Sequence, residues 1–132
     1  MKVALIGYGG VGKVVARIAL ERGHEISAII DPHDEAATSK NLNVAALRGA
    51  EVAVDFSNAE AVLENARVCS EAGVNLIVGT TGWYGKIDEV RKIVEGIGFI
   101  YSPYFSIGVN FSGSWKSMGS LMAYTRERTR RM

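Results

Sequence analysis

The chain has 132 residues with a formal net charge of +1, and 48% of them are hydrophobic. That is enough for one domain with a buried core. The near balance of acids and bases excludes a nucleic-acid or membrane surface as the main partner. The 15 glycines against two prolines, with a single cysteine at Cys69, suit an α/β protein in a reducing, cytoplasmic setting rather than a disordered or disulfide-stapled chain.

Residues 3–6, Val-Ala-Leu-Ile, form a continuous apolar run, as in a strand buried on both faces. The run stops at Gly7, too short for the core of a signal peptide. No apolar run approaches the ~20 residues that span a bilayer. Residues 10–22 have Val11, Val14, Val15, Ile18 and Ala19 at helical spacing, with Gly23 as a stop. A second strand is expected over residues 25–30, ended by Asp31-Pro32. Residues 33–42 are polar and read as a loop with room for a short edge strand. Residues 44–48 read as one or two helical turns.

The next strand covers residues 52–56. Ser57 or Asn58 then caps a helix to about Glu71, closed by Gly73. A strand over 74–78, a loop Gly79-Thr80-Thr81-Gly82, a helix over 84–95 and a short strand over 99–101 follow. Residues 102–106 form a loop, and 107–126 begin a further helix despite Gly108, Gly113 and Gly119. The repeated βα pattern predicts a Rossmann-type, doubly wound, mostly parallel sheet with helices on both faces. Its ligand edge lies at the carboxyl ends of the strands.

Gly7-Tyr8-Gly9-Gly10-Val11-Gly12 matches G-x-G-x-x-G between a predicted strand and a predicted helix. Gly7 permits the turn off the strand, Gly9 lets a pyrophosphate approach the backbone, and Gly12 lets the helix pack closely. The helix N-terminus offers unpaired N–H groups and partial positive charge. Asp31, 24 residues beyond Gly7, ends the second strand where an acid accepts hydrogen bonds from the adenosine ribose. No arginine follows it in Pro32-His33-Asp34-Glu35, which favours NAD(H), with NADP(H) as the alternative. A Walker loop is excluded, because Lys13 is followed by Val14. His33 reads as a solvated loop residue. Cys69 reads as a small residue on a helix face, since the sequence offers no neighbourhood to stabilise a thiolate. No His/Cys cluster at ligand spacing marks a metal site. Taken alone, Gly79-Thr80-Thr81-Gly82 reads as a strand-to-helix turn with a threonine cap.

Four segments in order resemble the 4-hydroxy-tetrahydrodipicolinate (dihydrodipicolinate) reductase family. They are the glycine loop through Lys13, then Val54-Asp55-Phe56-Ser57, then Val78-Gly79-Thr80-Thr81-Gly82-Trp83, and Ser102-Pro103-Tyr104-Phe105-Ser106-Ile107-Gly108-Val109-Asn110. The last two resemble the family's G-T-T-G and N-F-S-x-G-V-N signatures and are more specific than the glycine loop. The resemblance implies hydride transfer from a nicotinamide dinucleotide to a cyclic unsaturated dicarboxylate, in lysine and diaminopimelate synthesis. It implies that residues 7–12 hold the pyrophosphate and Asp31 the adenosine ribose. It adds Phe56 and Ser57 to the cofactor site. Gly79, Thr80 and Thr81, with Ser102, Pro103, Tyr104 and Phe105, are implied to lie along the nicotinamide.

Three departures stand out. Gly10 and Val11 replace the basic residue and Met common in the family, and Tyr104 replaces an Asn. The family's second domain carries a His-His-x-x-Lys motif for proton delivery and substrate binding, and these residues contain no such motif; the histidines are His24 and His33. No catalytic residue is therefore assigned. The expectation is a dinucleotide-binding domain over residues 1–110 and a C-terminal helix with a basic tail over 111–132, as the stump of the missing substrate domain. This chain alone is expected to be inactive, meeting a dicarboxylate only through the missing domain. Apolar residues between 105 and 122 predict self-association into a homo-oligomer. Two alternatives stay open: the cofactor domain of another NAD-dependent amino-acid dehydrogenase, and a non-catalytic nucleotide-binding module or subunit, whether natural, truncated or degenerate.

Overall fold

The computed structural model describes residues 1–101. Five strands, β1 (Lys2–Ile6), β2 (Glu25–Ile30), β3 (Val52–Asp55), β4 (Asn75–Val78) and β5 (Phe99–Tyr101), alternate with three helices, α1 (Gly10–Glu21), α2 (Val62–Ala72) and α3 (Ile87–Ile93). The strands form one sheet in the order β2-β1-β3-β4-β5, and each neighbouring pair is parallel. The chain leaves β1 toward β2 on one side and returns to place β3 on the other. The order therefore reverses between β1 and β3, where such sheets open a crevice at their carboxyl edge.

The apolar strand residues divide by alternation. Val3 and Leu5 of β1, Val52 and Val54 of β3 and Ile77 of β4 pack with Val15, Ala16 and Ala19 of α1. Their neighbours Ala4, Ile6, Ala53, Leu76 and Val78 face the opposite side, with Val62, Ala66 and Cys69 of α2 and Val90 of α3. Both sheet faces are covered, which is why β1, β3 and β4 carry near-continuous apolar runs. Burial pushes the Cys69 thiol up to about 12, assisted by the negative charge of Asp55, so it carries no thiolate near neutrality.

Among the described residues the predicted elements are present, with differences at their ends. The helix expected from residue 57 or 58 starts as a 3-10 turn, Ala59–Ala61. Its cap is Asn58, whose Oδ1 accepts from the Ala61 N–H at 3.0 Å; Gly73, at φ +70°, ends the helix as expected. The helix expected over 84–95 likewise begins as a 3-10 turn, Tyr84–Lys86, and α3 stops at Ile93, whose carbonyl accepts from the Ser70 hydroxyl. Residues 44–48 form one 3-10 turn, Ala45–Leu47. In the 33–42 loop, Ser39 makes a single parallel bridge to Ile30. The helix expected over 107–126 lies outside the described residues.

Candidate functional site

The loop from β1 into α1 owes its path to glycine at two positions. Gly7 has φ +93°, and a Cβ there would sit 2.9 Å from the carbonyl carbon of Phe56. Its N–H donates to the Ile30 carbonyl at 2.8 Å, so the turn is wedged between the ends of β2 and β3. A Cβ on Gly12 would lie 2.5 Å from the Gly7 carbonyl oxygen, so the first turn of α1 rests directly on the loop. Gly9 differs: its backbone is extended and a Cβ would meet nothing within 4 Å. No side chain caps α1 and its first turn holds no acid. The amides that open the helix are thus left for another acceptor.

Asp31 clamps this loop. Its Oδ2 accepts from the Tyr8 N–H at 2.8 Å, and its Oδ1 accepts from the His33 N–H at 2.8 Å and the Asp34 N–H at 3.1 Å. The His33 and Tyr8 N–H groups hold its carboxyl below the ordinary carboxylate value. Asp34 in turn accepts from the Ala36 N–H and pairs with Lys13 Nζ at 3.2 Å, while Lys13 lies 5.6 Å from the Tyr8 ring centroid.

Two clefts flank Gly9. One, of about 360 Å³, runs along Gly9, Gly10, Val11 and Gly12 to Phe56, Ser57, Gly79, Thr80 and Thr81. The other, of about 470 Å³, lies between Gly7, Tyr8 and Gly9 and the Asp31 loop, and reaches Phe56 and Ser57 from the far side. The predicted site residues among residues 1–101 therefore converge on one stretch of the carboxyl edge. Ser102, Pro103, Tyr104 and Phe105 lie outside the described residues.

Phe56 belongs to both clefts, and its ring lies where a Cβ on Gly79 would be. Gly79 is thus required by this ring, not by backbone conformation. The adjacent loop corrects one expectation: Thr80 caps no helix. Its hydroxyl donates instead to Asp55, at 3.2 Å to the carbonyl and 3.3 Å to Oδ1. The Thr80 carbonyl accepts from Trp83 Nε1 at 2.7 Å, so an indole ring braces the loop from below.

Three residues here were not assigned to the site from the sequence. Lys40 and Asn41 border the Asp31 cleft because Thr38 and Ser39 fold back on β2, and a polar loop gives no signal of such a return. Asp55 is fully buried. Its Oδ1 accepts from the Ser57 N–H at 2.8 Å and the Ser57 hydroxyl at 2.5 Å, and its Oδ2 accepts from Asn65 Nδ2 at 3.0 Å. Burial pushes this carboxyl above its ordinary value, and the bonds from Asn65, Ser57 and Thr80 oppose that shift. The signal available was a carboxylate closing an otherwise apolar strand, Val52-Ala53-Val54-Asp55.

Residues 1–105 match the family described as dihydrodipicolinate reductase, N-terminus. The 4-hydroxy-tetrahydrodipicolinate reductase of Christiangramia forsetii is 33% identical over 112 residues, covering 83% of this chain and 44% of the relative. That of Staphylococcus aureus is 34% identical over 113 residues, 83% of this chain and 46% of the relative. The chain thus spans less than half the length of these curated relatives. Among solved structures, a dipicolinate-bound dihydrodipicolinate reductase from Paenisporosarcina sp. superposes with a TM-score of 0.64 at 22% identity, over 78% of this chain and 47% of that one. A hyperthermophilic archaeal homoserine dehydrogenase in complex with NADPH gives 0.60 at 15% identity, over 76% and 43%. At such identities these structures establish a shared Rossmann-type fold. With its glycine loop, its D-F-S strand end and its match over residues 1–105, the chain belongs to the dihydrodipicolinate reductase family, within that family's N-terminal part.

Proposed function

We propose that this chain binds a nicotinamide dinucleotide and serves as the cofactor-holding part of a reductase acting on a cyclic unsaturated dicarboxylate in lysine and diaminopimelate synthesis. The observation that carries this reading is Gly9: a glycine facing open space at the mouth of two clefts, between two glycines whose hydrogens are hemmed in by backbone. Such a position suits a ligand that must touch the main chain.

In this reading Gly9, Gly10, Val11 and Gly12 present backbone N–H groups to the pyrophosphate, while Gly7 and Tyr8, whose N–H groups are bonded to Ile30 and Asp31, shape the loop around it. Neither Gly10 nor Val11 has a polar side chain, so these contacts are made by main chain alone. Asp31, ionised and fixed by three N–H groups, accepts from the adenosine ribose hydroxyls. Phe56, Ser57, Gly79, Thr80 and Thr81 wall the nicotinamide side, joined by Ser102, Pro103, Tyr104 and Phe105. The bound nicotinamide supplies the hydride, while the chain supplies position and the exclusion of water. The binding unit spans residues 1–110. Proton delivery and the cations that fix a dicarboxylate fall to groups other than those of this cleft. Asp31 favours NAD(H) over NADP(H). Lys40, bordering the same cleft, offers a cation to a 2′-phosphate and keeps that preference modest.

Titration of NADH against the chain, followed by calorimetry and by nicotinamide fluorescence, tests the reading. Saturable binding with one site per chain is expected. Absence of binding at millimolar NADH refutes it.

A further inference from the structure

Outside the glycine loop, the densest polar construction among the described residues is the set of donors around Asp55. The residue ends β3, and its side chain alternates to the α2 side of the sheet with Ala53. Its carboxyl accepts from groups on three separate segments: Ser57 just beyond β3, Asn65 on α2, and Thr80 in the loop after β4. Every one of these contacts can be a donation to the carboxylate, which is the pattern of an acceptor-only anion. Asn65 Nδ2 also reaches Ser57 Oγ at 3.2 Å, so the Ser57 hydroxyl gives its proton to Asp55 while accepting from Asn65. Ser57 is left as an acceptor, not a donor, toward anything in the cleft. The main chain is tied at the same point, where the Gly79 N–H donates to the Asp55 carbonyl at 2.9 Å.

A fully buried carboxylate held this way is costly to fold around, and burying an apolar side chain there would be simpler. What it does is fix the mutual placement of Ser57 and Thr80, two walls of the cleft that starts at Gly9. Asp31 takes no part in this network: its carboxylate bonds are to Tyr8, His33 and Asp34. The two carboxylates thus share no hydrogen-bond partner, although Ser57 and Asn65 of the Asp55 network also border the cleft on the Asp31 side.

We infer that Asp55 is a positioning residue for the nicotinamide half of the cofactor, holding Ser57 and the Gly79-Thr80-Thr81 loop in register, while the adenosine half is positioned independently by Asp31. The inference rests on the proposed dinucleotide binding. The experiment compares NADH with ADP-ribose, which lacks the nicotinamide, on the full chain and on Asp55→Asn. NADH affinity should fall about tenfold or more, the scale of losing hydrogen bonds to a buried charge. ADP-ribose affinity should stay within about twofold, since it keeps the groups that meet Asp31 and the glycine loop and lacks only the nicotinamide. The emission of bound NADH at saturation should move toward that of free NADH, a change that simple loss of folded protein does not produce. Thr80→Val, which removes one arm of the network and leaves the carboxylate in place, should show the same split in smaller measure, and keeps the test decisive if Asp55→Asn folds poorly. Equal losses for both ligands, or no loss for either, overturn the role of Asp55 alone. A parent chain that binds neither ligand overturns the proposed function, and this inference with it.

Discussion

Substitution of Gly9 by valine separates binding from folding, because Gly9 has backbone angles open to any residue and free space around its Cα. With φ −76° and ψ −161°, valine adopts the same conformation without strain. A Cβ there meets nothing within 4 Å. The folding cost is then that of exchanging one N-cap residue for a poorer one, about 1 kcal/mol. Binding is affected differently. The three added carbons occupy the space from which a pyrophosphate reaches the opening amides of α1. Losing two hydrogen bonds to a charged group, at about 1.5–3 kcal/mol each, removes about 3–6 kcal/mol. That corresponds to roughly a hundredfold to ten-thousandfold weaker binding. The assay is NADH titration by calorimetry beside urea denaturation of the same samples. A variant that stays folded in the urea melts and binds NADH with undiminished affinity refutes the placement of the cofactor at this loop.

Gly12→Ala should do the reverse in stability, since its Cβ would stand 2.5 Å from the Gly7 carbonyl oxygen; a loss of about 1–3 kcal/mol is expected in urea melts. NADH should bind more tightly than NADPH, and Asp31→Ser should narrow the difference in paired titrations; a parent chain preferring NADPH contradicts the role given to Asp31. Burial raises the Asp55 carboxyl above its ordinary 3.8, so the folded state holds this proton where the unfolded state has lost it. Stability contributed by the protonated form is complete below 3.8 and is lost as pH rises through the folded value. Asp55→Asn should therefore gain on the parent between pH 4 and pH 7 in urea midpoints, and a constant difference across that range would contradict the burial argument. The chain on its own should consume no NADH with freshly generated 4-hydroxy-tetrahydrodipicolinate. A rate of roughly one turnover per second or faster would show that it carries its own acid and anion site.

The glycine loop, the strands and Asp31 were legible in the sequence because each follows from local chemistry. An apolar run, a helical repeat and a required glycine need no knowledge of the rest of the chain. The initial 3-10 turns at Ala59–Ala61 and Tyr84–Lys86 were not legible, since they depend on how the preceding loop is anchored. Thr80 shows the same limit: a threonine before a helix reads as a cap, but a buried carboxylate 25 positions earlier in the chain takes its hydroxyl. Lys40 entered the cleft only through the return of Thr38 and Ser39 to β2.

That return has a consequence for how the molecule behaves in a crowd. β2 is an outer strand of the sheet, and an outer strand presents a ladder that another chain can extend. Here the Thr38 N–H donates to the Ile29 carbonyl at 2.8 Å and the Asp31 N–H donates to the Ser39 carbonyl at 3.1 Å. The Thr38 hydroxyl accepts from the Ile29 N–H at 2.9 Å. A two-residue stretch and one hydroxyl thus occupy the ladder at the end of β2 nearest the cleft. The same few atoms that carry Lys40 to the rim close this part of the strand to intermolecular pairing, so a change that loosens the loop would favour aggregation as well as altering the rim.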